Sequence, residues 1–165
     1  MEIISDEDLQ QLTRQVAHIL QQRGWMLATV ESCTGGWVAK CCTDLAGSSA
    51  WFERGFVTYS NQSKQDLVAV RAVTLEQFGA VSEQTVIEMA QGALNRSNAD
   101  ISVSISGIAG PDGGTEEKPV GTVWFAWATK IAATAELHHF SGNRDSVRRQ
   151  AVATALTGIT KNARG

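Results

Sequence analysis

A chain of 165 residues, 43% hydrophobic and 19% charged, has the size and balance of one soluble domain with a buried core, expected to span residues 1–165. A net charge of −3 supplies no general basic field to attract nucleic acid or an anionic membrane, and no apolar run approaches bilayer-spanning length. The start "MEIISDEDLQQL" is acidic, unlike an export or transit signal, and Cys33, Cys41 and Cys42 have no disulfide-framework spacing, so a reduced, cytoplasmic setting is expected.

"SDEDLQQLTRQVAHILQQRG" predicts a first helix: Leu9, Leu12, Val16, Ile19 and Leu20 recur at helical spacing, Ser5 caps and Gly24 stops. "MLATV" over 26–30 predicts a short buried strand, and Gly35 to about Thr43 a second helix. "WFERGFVTYS" over 51–60 reads as a strand with Gly55 as a bulge. "TLEQFG" carries a capping-box pattern, Thr74 with Gln77, and closes at Gly79. "SEQTVIEMAQGALNRS" predicts a helix capped by Ser82, with Val86, Met89, Ala90, Ala93 and Leu94 on one stripe. "ISVSISG" alternates apolar and serine, as a strand with two different faces does. "VGTVWFAWAT" and "TAELHHFS" predict two more strands, and "DSVRRQAVATALTGIT" the closing helix. Helices alternate with strands early and the last strands are consecutive. This order predicts an α/β fold, a three-layer α/β/α sandwich around a mixed sheet.

Two glycine-rich segments invite a functional reading. In "VESCTGG" a strand end feeds a helix through small polar residues, which suits an anion or an oxyanion at the helix start. Ser32 or Cys33 is the candidate nucleophile there, with Thr34, Gly35 and Gly36 as donors; an ordinary cap and turn is the plainer reading. The spacing matches neither G-x-S-x-G nor the phosphate loop. "SGIAGPDGGTEEKPVG", residues 106–121, follows a strand, where ligand loops of open α/β sheets lie; the plainer reading is a long hairpin connection. Ser106, Gly107 and Gly110 are its candidate binding residues.

Arg144 and Arg148 stand four apart at the start of the last helix, where cations oppose the helix dipole unless something negative is held. Asp145 is the internal partner to weigh against a bound phosphate. "TYSNQSKQD" holds the only tyrosine, Tyr59, and Lys64. A lysine serves as base for a serine once burial makes it neutral, although its residue type suggests a surface position. His18, His138 and His139 lack metal-ligand spacing with the cysteines, so no zinc site is expected. The five tryptophans lack interleaved basic residues and read as core or oligomer contacts.

"ESCTGG", "GSSAWFERGFVTYSN" with Lys64, "GAVSE", "SISGIAGPDGG…KPVGTVWFA" and "GNRDSVRRQA" resemble, in order, the CinA C-terminal domain family, and within it the stand-alone nicotinamide-nucleotide amidases. The resemblance runs from the first helix to the last. It departs at Val30, at "NQSK" and at Cys41–Cys42, none a proposed catalytic position. It implies hydrolysis of the carboxamide of nicotinamide mononucleotide to nicotinate mononucleotide and ammonia, in pyridine nucleotide recycling. Ser32 is then the nucleophile and Lys64 the base, with Tyr59 nearby; donors near Thr34 to Gly36 hold the oxyanion. The phosphate falls to Arg144, Arg148 or the 106–114 loop. No metal or cofactor is implied, and a homodimer is expected by analogy. A non-catalytic nucleotide-binding regulatory module is the alternative. A DNA-associated competence factor fits the acidic balance poorly.

Overall fold

The computed structural model describes residues 3–164. Helix α1 (Asp6–Arg23) starts as its sequence predicts. The Ser5 side chain accepts the Asp8 N–H, the Asp8 carboxylate accepts the Ser5 N–H, and Gly24 closes the helix in the left-handed region. Then follow β1 (Leu27–Glu31), α2 (Trp37–Asp44), a short 3-10 turn (Ser48–Ala50) and β2 (Phe52–Val57). Next come α3 (Asn61–Val68), α4 (Ala72–Phe78), α5 (Glu83–Asn95), β3 (Ile101–Gly107), β4 (Thr122–Thr129), β5 (Ala133–His139) and α6 (Arg144–Ala163).

The sheet order is β2-β1-β3-β4-β5; β2, β1 and β3 pair in parallel, and β4 pairs antiparallel with both β3 and β5. Leu27, Ile101, Val103, Ile105, Phe125 and Trp127 pack beneath α1, α2 and α6, while Ala28, Val30, Ala126 and Ala128 pack beneath α5 with α3. This is the expected α/β/α sandwich. Helix α6 approaches closely because Gly158 lies flat against Trp127: a Cβ there would stand 2.1 Å from the indole. Both faces of β3 are buried, so its serines need partners. The Ser102 and Ser104 hydroxyls donate to the Ala90 and Val86 carbonyls of α5, at 2.7 and 2.6 Å.

Three local expectations change. The β1–β2 bulge lies at Glu53, because Leu27 pairs with Phe52 and Ala28 with Arg54. Gly55 instead makes room for a neighbour: a Cβ there would stand 2.8 Å from Thr29 Oγ1. Thr74 is not a cap, since α4 begins two residues earlier. Glu88 of α5 supplies the cap by accepting the Arg71 N–H (2.9 Å) and the Thr74 hydroxyl (2.6 Å). Finally, residues 61–68 form a helix, α3, begun by Ser60, whose side chain accepts the Ser63 N–H. It has little apolar periodicity to announce it.

Candidate active site

Three elements meet where β1 ends. The Ser32 N–H donates to Ile105 O (3.0 Å), extending the β1–β3 pairing one residue past Glu31. The Thr58 N–H donates to Glu31 O (2.8 Å), extending β2 alongside in the same way. Helix α3 then returns over the sheet end, and its Lys64, 1% exposed, lays its amine 3.1 Å from Ser32 Oγ. The same Nζ donates to Thr58 O (2.7 Å) and Tyr59 O (3.2 Å). Burial pushes the amine down from the ordinary lysine range to about 8, with no carboxylate among the described residues beside it to hold the charge.

This arrangement gives the amine a direction. Carbonyls only accept, so two N–H bonds of Lys64 are committed to Thr58 and Tyr59. A neutral amine has two N–H bonds and one lone pair. The third Nζ position donates to Ser32 Oγ, whose own hydroxyl reaches Tyr59 O (3.5 Å); once the amine is neutral, that position holds the lone pair and faces the serine. The neutral form can therefore take the serine proton without moving.

Cys33, the rival nucleophile, borders the same cleft as Ser32 but belongs to the core. Its side chain packs in the core beneath α1, α2 and α6, and burial pushes its thiol up to about 11. It is a thiol at neutral pH, not a thiolate.

The turn that follows differs from its local reading. The Gly35 N–H donates to Ser32 O (3.1 Å) and the Trp37 N–H to Thr34 O (3.1 Å). Glu31, 1% exposed, folds its carboxylate under the start of α2. Its Oε1 accepts the Thr34 hydroxyl (2.7 Å) and the Val38 N–H (2.9 Å), its Oε2 the Ala39 N–H (3.1 Å), and the Gly36 N–H also points to it. Burial raises its pKa above the ordinary carboxylate value, and these donors oppose that rise without cancelling it. Gly36, at φ 101°, gives α2 no side-chain cap, and Glu31 fills that role. The positive helix end is therefore occupied by an internal carboxyl group. An acid just before a small-residue turn at a helix start is the signal that would have pointed to it.

A cleft of about 270 Å³ opens over Ser32 and Lys64. Tyr59, Asn61, Ser106, Gly107, Gly110, Asp112 and Arg144 also border it. Arg144 spans the mouth, donating to Gly110 O (2.7 Å) and to the Tyr59 hydroxyl (3.3 Å). Asp145, its expected partner, lies 3.8 Å from Arg149 instead. Of the candidates named from sequence, Ser32, Cys33, Lys64, Tyr59, Ser106, Gly107, Gly110 and Arg144 thus border one cleft. Thr34, Gly35, Gly36 and Arg148 do not. They border a separate cavity of about 520 Å³ beside Trp37 and Arg149. Arg148 braces the turn from that side, donating to Cys33 O (3.0 Å) and Thr34 O (3.3 Å). Asn61, Asp112 and the supporting Glu31 were not anticipated. Among the described residues no group of three or more His, Cys, Asp or Glu side chains is placed to hold a metal ion, and no helix is long and apolar enough to cross a membrane.

Comparison with known proteins bears on this arrangement. Residues 9–163 match the model of the CinA C-terminal domain. The nicotinamide-nucleotide amidohydrolase PncC of Escherichia coli K12 is 62% identical over 93% of this chain and 93% of its own length. A putative competence-damage inducible protein of Symbiobacterium thermophilum is 48% identical over 95% of this chain, which spans 38% of that longer protein. The crystal structure of the competence/damage inducible protein CihA from Agrobacterium tumefaciens superposes with a TM-score of 0.92 at 41% identity, covering 100% of both chains. With a match running from the first helix through the last, the chain belongs to the CinA C-terminal domain family.

Proposed function

We propose that the protein is an amidase that hydrolyses the carboxamide of nicotinamide mononucleotide to nicotinate mononucleotide and ammonia. Ser32 is its nucleophile and Lys64 its base. The observation that carries this reading is the buried Lys64 amine, 3.1 Å from Ser32 Oγ and brought to about 8. The E. coli relative's name supplies the substrate class.

In the first half-reaction, Ser32 Oγ bonds to the carboxamide carbon as its proton passes to Lys64. The collapsing intermediate breaks the C–N bond, and Lys64 returns that proton to the departing nitrogen, releasing ammonia. Water then attacks the ester, giving its proton to Lys64, and the carboxylate leaves as Ser32 regains a proton. Arg144, at the mouth and joined to no carboxylate among the described residues, is the cation best placed for the substrate's phosphate.

The test is ammonia release from nicotinamide mononucleotide by the parent, Ser32→Ala and Cys33→Ala proteins, with mass spectrometry of quenched reactions. The expected result is turnover lost in Ser32→Ala, kept in Cys33→Ala, and an acyl group on the peptide containing Ser32. Tight nucleotide binding without ammonia release from the parent would refute the reading in favour of a non-catalytic nucleotide-binding module.

A further inference from the structure

The geometry points to Ser106 as the side-chain donor that holds the oxyanion, a role resting on the amidase reading above. Adjacent pairs on β1 and β3 run Ala28 with Ser102, Val30 with Ser104 and Glu31 with Ile105. The Ser32 N–H to Ile105 O bond carries this register one step further and sets Ser106 beside Ser32. By strand alternation, Ser106 lies on the same face as Ser102 and Ser104.

The three serines differ in one respect. Ser102 and Ser104 are satisfied by successive α5 carbonyls, at Ala90 and Val86. The next carbonyl in that series belongs to Ser82, the N-cap where α5 begins, and it accepts the Val86 N–H. Among the described residues the Ser106 hydroxyl meets no hydrogen-bond partner, yet Ser106 is 1% exposed and borders the Ser32 cleft. A buried hydroxyl beside a nucleophile, without a protein partner, is a donor held in reserve for the substrate.

The sheet order then fixes which substrate atom it meets. Ser32 ends β1, with β2 on one flank and β3 on the other. Lys64 is anchored to Thr58 and Tyr59, which continue from β2. The amine must protonate the departing nitrogen, so the nitrogen leaves on that flank. The carbonyl oxygen of the tetrahedral intermediate therefore points toward β3 and Ser106. This assignment also supplies a donor where the 34–36 turn cannot, because that turn borders the other cavity and its helix end is occupied by Glu31.

The experiment is steady-state ammonia release from nicotinamide mononucleotide by the parent, Ser106→Ala and Ser106→Thr proteins, with full pH profiles. Removing an oxyanion donor lowers kcat by about 10²–10³-fold, since the interaction is made in the transition state. Ser106→Ala is expected to show that loss with KM within about threefold and the inflection near pH 8 unmoved, the first two as for any transition-state donor and the last because Lys64 is untouched. Ser106→Thr, which keeps the hydroxyl, is expected to recover most of the rate. A parental kcat in Ser106→Ala overturns the assignment, as does a Ser106→Thr protein as slow as Ser106→Ala or a loss confined to KM. A parent that releases no ammonia sinks the amidase reading instead, so the two failures are distinguishable.

Discussion

Replacing Lys64 by methionine keeps the stem's length and removes the amine. The magnitude follows from its titration. An ordinary lysine at 10.5 is neutral in about three molecules per ten thousand at pH 7, whereas one brought to about 8 is neutral in roughly one in ten. Burial thus raises the population of competent base by about 300-fold at pH 7. For the parent, kcat/KM measured by ammonia release is expected to climb about tenfold per pH unit from 6 and level above about 8. Lys64→Met is expected to lose about 10²–10⁴-fold and to show no inflection there. The same shift appears in stability. Between about 8 and 10.5 the unfolded chain holds the Lys64 proton while the folded chain has released it. Unfolding free energy of the parent, relative to Lys64→Met, therefore rises with pH across that window and is level below it. A flat parental rate profile from pH 6 to 8, an inflection near 10.5, or a Lys64→Met protein within tenfold of the parent would refute the reasoning.

Glu31→Ala strands the Thr34 hydroxyl and the Val38 and Ala39 N–H groups, and is expected to cost about 2–4 kcal/mol in urea unfolding. Added formate is expected to restore part of that stability by accepting the stranded donors; a variant as stable as the parent would refute the capping role. Arg144→Ala is expected to raise KM for nicotinamide mononucleotide by about tenfold or more, with a much smaller change for the riboside lacking phosphate. Equal effects on both substrates would remove Arg144 from phosphate recognition. Gly158→Ala drives a methyl into the Trp127 indole and is expected to cost at least about 1–3 kcal/mol, read as a lowered urea midpoint. An unchanged midpoint would show that α6 shifts freely.

Periodicity made most of the framework legible. Leu9 through Leu20 in α1, the serine–apolar alternation of β3 and the Val86–Ala93 stripe of α5 each carried their own period into the structure. Helix α3 did not, since "NQSKQDLV" buries only Lys64 and Val68 and so has no apolar stripe to read. The same gap concealed the burial of Lys64. Its residue type predicts solvent, and only a helix folding back over the sheet end puts it under cover. The arginine pair shows another limit. Arg144 and Arg148 are one helical turn apart, yet that turn carries them to opposite sides of the Ser32 segment, one to Gly110 and the other to Cys33 and Thr34. The donors of "SCTGG" were legible as donors. That Glu31 would occupy them was a tertiary fact, because a carboxylate can reach back over a following turn only once the strand fixes where it starts.

The acid tucked under α2 also bears on how inhibitors of this cleft should be built. The start of that helix lies on the neighbouring cavity and is already occupied by an internal carboxyl group, so a negative headgroup directed there gains nothing. Negative charge belongs instead on a tail that reaches the guanidinium at the entrance of the Ser32 cleft.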